Sequence, residues 1–585
     1  MKTNVYALKT QRLILFFCLI GAVHAADFDT CLAEIKRGDW GLTGGTDNAG
    51  NPIANISEAK SITYELCAVA CGAGPEPFQW NTFSQQFSAW LLPYLALVAQ
   101  LPFGATDNFD NVMSVVLSVG SPTLAAYSLA LTVLNGHWIA RRFSSVEKYP
   151  NAKQAVQVLS RLQQSPLLVT EDYGLLASLV ILPQNDRWWA ELVELLEYTH
   201  TWSISSVASI IWVSIAYVFT VIDSFTGTIV SSTLNANGQG VGSAYLWLLP
   251  VVIGWLQLGP KCNSVRLRGA VNRANAEAYL ASDQGRAVLA EDITPDRALS
   301  LAPRMGSVRR DEMCSPPIMN YSRWLAWTHS VETVYAIFET ATARSALHQS
   351  VDPNVPWTKN AERGTSATIS PVNREGTLQQ VTDYAVPLPT SARSHWAPGV
   401  FSRFFVASLM ALGLTWSTTG AAVIVVWFTP TRGLGCRSGA YLLYGAFSTL
   451  IWILLVLSSF LAHYSAQRPS RFDDGGFPIY SRASRIAATL SIVLRRVGKV
   501  LAACNAIWIV VACIFQFSSF FDRCYCNSSV LHFGYKRAYD VIDLVASDIS
   551  TMKVAWAGGV AMALGFSFLF ILFVNIYINP PLAAT

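Results

Sequence analysis

Long apolar stretches dominate the chain, at residues 112–135, 203–225, 243–259, 403–428, 439–462, 498–520 and 554–578. Inside their edges they carry almost no charge, and Asp223 is the main exception. A Leu, Ile, Phe or Val favours membrane insertion by only about 0.3–0.6 kcal/mol, whereas a central charge opposes it by roughly 2.5–3.5 kcal/mol. Charge-free runs of this length therefore insert. Lipid offers no partner to a bare backbone N–H or C=O, so each run is expected to be helical. The pattern predicts an all-α membrane protein, a bundle of about seven transmembrane helices. Phe87–Phe103 would make an eighth, but it is short and contains Pro93 and Pro102. It could cross, re-enter or lie in the interface. Gly174–Leu182 is too short to span and reads as an interfacial or buried segment.

The connections orient the bundle. Basic residues collect in 136–202 (Arg141, Arg142, Lys148, Lys153, Arg161, Arg187), at the start of 260–402 (Lys261, Arg266, Arg268) and in 463–497 (Arg468, Arg471, Arg482, Arg485, Arg495, Arg496). Such charge marks the cytosolic side. The opposite side then holds Cys31, Cys67, Cys71, Cys436, Cys524 and Cys526, an even set where disulfides persist. The sequons at Asn55 and Asn527 also fall outside, while the one at Asn320 falls inside and should stay bare. This map needs an odd number of crossings after an external N-terminus. If 87–103 crossed in addition, every later loop would invert.

Composition agrees with a membrane class. Apolar residues make up 52% and charged residues 13%, about half the share of roughly 25% in soluble chains. The net charge of +4 and the lack of a basic patch with interleaved aromatics argue against nucleic acid. At the N-terminus, Lys2, Lys9 and Arg12 precede the apolar run Leu13–Val23, and Val23-His24-Ala25 has small residues at cleavage positions. Residues 1–25 read as a signal peptide cut after Ala25, which directs the protein to a membrane of the secretory pathway, with the plasma membrane as the expected destination.

The segments outside the spans divide unequally. Residues 26–85 form a small external Cys-containing region, marginal as an independent fold and expected to be a stapled cap. The 260–402 loop begins with a helix-forming stretch, Ala270–Leu289, and holds an amphipathic stripe of Trp324, Leu325, Trp327, Val331, Val334, Ile337 and Phe338. Around Val351–Pro398, frequent Pro, Ser, Thr and Gly read as linker or disorder. Asp186–Tyr198, with Trp188 and Trp189, is amphipathic and suited either to the interface plane or to packing on the bundle. Residues 579–585 are a short tail.

Chemistry is sparse. His329 and Glu332, with Glu339 beyond, have a spacing that can hold a metal but suits a solvated helix face equally. Cys524-x-Cys526 reads as disulfide chemistry. Asp473-Asp474 precedes two glycines and reads as a turn. No phosphate-loop, nucleophile-elbow, zincin or dinucleotide signature is present, so no cofactor and no catalytic residue is predicted. Asp223 is the foremost ionisable residue of the spans and the candidate functional side chain. The expected function is a non-enzymatic membrane organiser or sensor whose partners are the lipid bilayer and cytosolic proteins meeting the 260–402 loop, where Thr294-Pro295, Ser315-Pro316 and Ser370-Pro371 suit phosphorylation. One alternative is a transporter or channel for an uncharged solute, with Thr415, Ser417, Thr418 and Thr419 along its path. Another is a divergent heptahelical receptor, although the third span ends Leu256-Gln257-Leu258-Gly259-Pro260 without an acidic-Arg-Tyr triplet.

Three stretches, Ala89-Trp90-Leu91-Leu92-Pro93-Tyr94, Ser121-Pro122-Thr123-Leu124-Ala125-Ala126-Tyr127-Ser128-Leu129 and Gly433-Leu434-Gly435-Cys436-Arg437-Ser438-Gly439, together resemble a group of multi-pass membrane proteins of filamentous fungi. The resemblance covers the spans and their short connections. It implies a membrane protein and carries no activity or site.

Overall fold

The computed structural model describes residues 27–72, 74–102, 108–197, 202–226, 232–301, 318–359, 369–386, 396–466, 471–472, 478–479 and 481–578. The expected signal peptide, Asp473-Asp474, Ser315-Pro316 and the tail lie outside them. Three bodies stack along one axis: a Cys-rich cap, a helical bundle and a second folded domain at the opposite, basic end.

Among the described residues six helical stretches are long and apolar enough to cross a membrane. They are α10 (Ile204–Thr226), the pair α11 (Ser232–Tyr245) and α12 (Leu248–Leu258), α16 (Val400–Trp427), α17 (Cys436–Ser465), α18 (Arg482–Phe517) and α19 (Ala546–Ile578). Each overlaps a predicted span, and all but α10 begin earlier than predicted. The largest extension is α18, which begins at Arg482 rather than near 498. Arg482, Arg485, Arg495 and Arg496 thus ride on a helix instead of a loop. The outer faces are apolar: α10 exposes Ile204, Ile211, Trp212 and Phe219, as a helix facing lipid does.

The 112–135 stretch departs from the prediction of a straight span. It forms α5 (Asn108–Gly120) and α6 (Pro122–Phe143), bent against each other by 107°. The 87–103 stretch explains how. α3 (Trp80–Gln86), a wider π turn over Phe87–Leu91 and α4 (Leu92–Val98) follow one another down the bundle. Pro93 near the start of α4 has no N–H to give, and such a position is where a helix ladder is interrupted. Near the cap, Glu76 N–H donates to the Asp522 carbonyl (2.9 Å) and Trp90 packs on Phe517 (5.7 Å). Midway, the Tyr94 hydroxyl donates to the Gly242 carbonyl (3.0 Å). Lower down, Gln100 accepts from Ser206, at the basic end of α10 (2.7 Å). Residues 80–98 at ~1.5 Å per residue cover about the thickness of a hydrocarbon core. This stretch is therefore a full passage from the Cys-rich end to the basic end. Both flanks of α5–α6 then lie towards the basic end, so that pair enters and leaves from one side. Among the described residues the six long apolar helices are thus joined by a passage over 80–98, and the 112–135 stretch is a bent pair rather than a straight span.

The cap is built from α1 (Phe28–Arg37), α2 (Tyr64–Ala70) and a three-stranded antiparallel sheet of β1 (Gly45–Thr46), β2 (Ser61–Thr63) and β7 (Tyr539–Val541). Three disulfides join Cys31 to Cys71, Cys67 to Cys524 and Cys436 to Cys526. All six predicted cysteines are used. Cys67–Cys524 fastens the cap to the segment that leaves α18, and Cys436–Cys526 ties that segment to the start of α17.

The basic end of the molecule is a folded domain to which the described parts of 260–402 contribute. They fold with 137–197 around one apolar core. α7 (Ala152–Arg161), α8 (Tyr173–Ile181), α9 (Asp186–Leu195), α13 (Ser264–Ala276), α14 (Trp324–Ala346) and α15 (Leu378–Ala385) supply it. The tryptophans Trp188, Trp189 and Trp327 are fully buried there, so α9 and α14 pack inward rather than lie on lipid. Gly174–Leu182 is core. The helix predicted to reach Leu289 stops at Ala276 and gives way to the hairpin β4 (Tyr279–Ala281) and β5 (Ala287–Leu289). β3 (Leu168–Val169) and β6 (Leu299–Ser300) pair separately. Arg374, in the stretch read as linker, is buried and forms an ion pair with Asp186 (2.6 Å) while donating to the Ile181 carbonyl (2.7 Å).

This route gives a labelling prediction. In a chain whose cysteines outside the three disulfides, Cys18, Cys262, Cys314, Cys504 and Cys513, are replaced by Ser, Trp80→Cys and Pro102→Cys should react with an impermeant maleimide from opposite faces of sealed vesicles. Labelling of both from one face would mean that 87–103 does not pass through.

Candidate functional site

The break between α5 and α6 is the most demanding piece of chemistry in the bundle. It lies near mid-depth, since Ser448, Asn505 and Thr415 beside it stand well inside α17, α18 and α16. A helix that stops there exposes carbonyls at its end and N–H groups at the next start, with no water to take them. Each has a partner. The Asn505 amide donates to the Gly120 carbonyl (2.8 Å) and the Tyr444 carbonyl (3.1 Å). The Tyr444 hydroxyl donates to the Val119 carbonyl (2.7 Å). Pro122 opens α6 without an N–H, which suits a first position. Thr123 N–H donates to Ser448 Oγ (3.2 Å) and Leu124 N–H to the capping Ser121 Oγ (3.2 Å). The Ser121 hydroxyl in turn donates to the Ser448 carbonyl (2.9 Å), and Thr123 Oγ1 to Thr415 Oγ1 (3.0 Å).

Close approach makes this possible. A Cβ on Gly120 would come within 2.0 Å of the Ala502 carbonyl oxygen, so α5 meets α18 only because residue 120 has no side chain. Around the break stand buried groups with unfilled hydrogen-bonding capacity, the Tyr441 hydroxyl and Asn505 Oδ1.

Of the path residues suggested for transport, Thr415 is in this seam. Thr419 Oγ1 is buried without a hydrogen-bond partner, whereas Ser417 and Thr418 turn onto their own helix and donate to the Leu414 carbonyl (3.0 and 2.9 Å). They serve packing between α16 and its neighbours. Asp223 is not brought to the seam. It stands exposed near the capward end of α10. Glu332 is held by a two-pronged contact from Arg142 (2.9 and 3.1 Å) and Glu339 accepts from Tyr335 (3.0 Å), so the His329-Glu332-Glu339 pattern is a helix face tied to α6. Among the described residues no group of His, Cys, Asp or Glu is arranged to hold a metal. Asn55 is exposed on the cap and Asn527 is half-buried there, accepting from Arg437 (3.2 Å). Asn320 is fully buried and donates to Thr132 Oγ1 (2.8 Å), so it would remain bare on either side of a membrane.

Sequence reasoning missed the seam because it treated 112–135 as one apolar run. The signals were Gly120-Ser121-Pro122, a helix stop followed by a cap and a first-turn proline, and the amide Asn505 well inside α18. Comparisons with known proteins add nothing to this geometry: no family model, no curated protein and no solved structure matches the chain.

The cap carries a second cluster. Asp540, on β7, is buried 3.8 Å from the Cys67 sulfur. Burial pushes its carboxyl up to about 7, Asp522 and Glu76 push the same way, and Arg437 opposes them. Glu76 is raised to about 7 as well, by burial first and then by Asp522. Arg437 is ion-paired with Asp522.

Two predictions follow from these groups. Gly120→Ala should destabilise the detergent-solubilised protein by on the order of 1–3 kcal/mol through overpacking, and Asn505→Leu by a similar amount through the carbonyls it abandons; wild-type melting of both would remove the seam's structural role. For the cap, the folded protein binds protons on Asp540 and Glu76 more tightly than the unfolded chain, whose values stay near 3.8 and 4.5. Stability is then greatest below about 4 and is lost as pH rises towards about 7. Melting at pH 5 should exceed melting at pH 8, and Asp540→Asn should flatten the difference.

Proposed function

We propose that the protein is a non-enzymatic membrane sensor or organiser, in which the basic-end domain responds to the state of the Cys-rich cap. One observation carries this reading. α6 starts in the polar seam at mid-depth and ends inside the core of the basic-end domain, where Ile139, Ala140 and Phe143 are buried. Arg142 reinforces that end by holding Glu332 and lying 3.9 Å over the Tyr335 ring. The seam is gripped by α17 and α18, the same helices whose capward ends are fastened by Cys436–Cys526 and Cys67–Cys524. A change in the cap thus has a packed route, cap to α17 and α18, then seam, then α6, then domain. Packed elements with two discrete arrangements are what coupling requires.

Sidedness belongs to the same proposal. Three disulfides at one end favour an oxidising exterior or lumen for the cap, and the basic residues favour a cytosolic domain, in a secretory-pathway membrane such as the plasma membrane. Cytosolic proteins would then be the partners of the 137–197 and 260–386 domain. Transport is the weaker reading, since Thr415 is engaged in the seam and Ser417 and Thr418 on their own helix.

Hydrogen exchange tests the coupling. In lipid nanodiscs, reducing the cap disulfides should raise exchange in α9 and α14 of the basic-end domain, and Asn505→Leu should uncouple that response while the cap itself still responds. Unchanged exchange in α9 and α14 upon complete reduction would overturn the reading.

A further inference from the structure

A cavity of about 190 Å³ opens where α6 and α7 meet the last residues of two membrane helices, Leu258 of α12 and Ile578 of α19. Its depth is therefore the boundary between bilayer and water at the basic end. Its wall has two characters. Val133, Leu258 and Ile578 are apolar, while Arg161 and Gln163 bring charge and an amide. The Gln163 side chain is only 6% exposed, and its Oε1 is buried without a hydrogen-bond partner. A buried acceptor left in this state calls for a donor from an occupant. Arg161 is held in place by the Val193 carbonyl (2.8 Å) and Glu197 (3.4 Å), and Lys261 is close enough to sense both charges. On α6, Gly136 faces open room, for a Cβ there would meet nothing nearer than Ser160 Oγ at 3.9 Å.

We propose that this cavity holds the headgroup of a glycerophospholipid bearing a hydrogen-bond donor beside its phosphate, an ethanolamine or a polyol rather than a choline. The phosphate meets the Arg161 guanidinium, a charge-assisted contact. The ammonium or hydroxyl donates to Gln163 Oε1. The acyl chains leave past Leu258 and Ile578 along surfaces that already face lipid. A soluble phosphate could satisfy Arg161, but it would leave the apolar wall uncovered, so the membrane lipid is the favoured source. The lipid would sit between α6, which enters the basic-end domain, and the domain's own α7.

The test uses the purified full-length protein in detergent. Its melting is followed while phosphatidylethanolamine, phosphatidylglycerol, phosphatidylcholine, glycerol 3-phosphate or inorganic phosphate is added. Native mass spectrometry counts the lipids retained. The ethanolamine and glycerol lipids should raise the melting temperature by ~3 °C more than the choline lipid and be retained at least about tenfold better. Glycerol 3-phosphate and inorganic phosphate should do nothing. Gln163→Leu removes the acceptor and Gly136→Leu fills the space, and either should erase the headgroup preference. Equal response of the wild type to all three lipids, or a preference that survives in a folded variant, would refute the proposal. Stabilisation by the soluble phosphates to the same extent would refute the lipid assignment. If a variant fails to fold, the wild-type headgroup preference decides by itself.

Discussion

Backbone hydrogen bonding inside a medium without water is the constraint on which the remainder of this structure depends. A helix broken at mid-depth leaves polar groups that lipid cannot satisfy. Here the break at Gly120–Pro122 persists because four side chains meet it: Asn505, Tyr444, Ser448 and the capping Ser121 account for the carbonyls of Val119 and Gly120 and for the N–H groups of Thr123 and Leu124. Glycine at 120 lets the chain come close enough for those bonds to be short. With the break in place, α6 is released from spanning duty and becomes the strut between bundle and basic-end domain.

The two ends of the molecule are stabilised by different means, and size explains the difference. The cap is a small body drawn from distant parts of the chain, with a modest apolar core around Ile35, Ile56 and Ile62. Too small to rely on burial, it is closed by covalent links. The basic-end domain has a large core with several buried tryptophans and needs none. Its polar interior is satisfied by particular pairs, such as Arg374 with Asp186 and Arg142 with Glu332. These are two-pronged guanidinium–carboxylate contacts, the geometry in which arginine gives most direction.

Individual elements differed in how far they could be read in advance. The spans from 203 onward were legible because insertion depends on summed side-chain transfer energy, which is a property of composition over a window. The six paired cysteines were legible as a set, since they collect on one side of the charge map, yet their connectivity was not, because Cys67 meets Cys524 across 457 residues. The 87–103 stretch looked weak for its prolines and its length. In place, α3 and the π turn extend it, and Trp90 and Tyr94 lodge against the small residues Gly238 and Gly242 of α11. The folded, described parts of 351–398 were not legible because proline, serine and glycine suggest a linker locally, whereas the core they join is assembled from segments hundreds of residues apart.

By itself, then, the sequence determined the class of the protein, the axis along which it is polarised and the residues available for disulfides, all of which follow from transfer energies and charge counts that add up locally. Only the tertiary structure decided which apolar stretches pass through and which turn back, which cysteine meets which, and that two of the three basic segments fold together around one core. Those outcomes depend on close packing at single positions, such as Gly120 against Ala502, and on long-range partners for buried polar atoms. Neither is encoded in any one window of the chain.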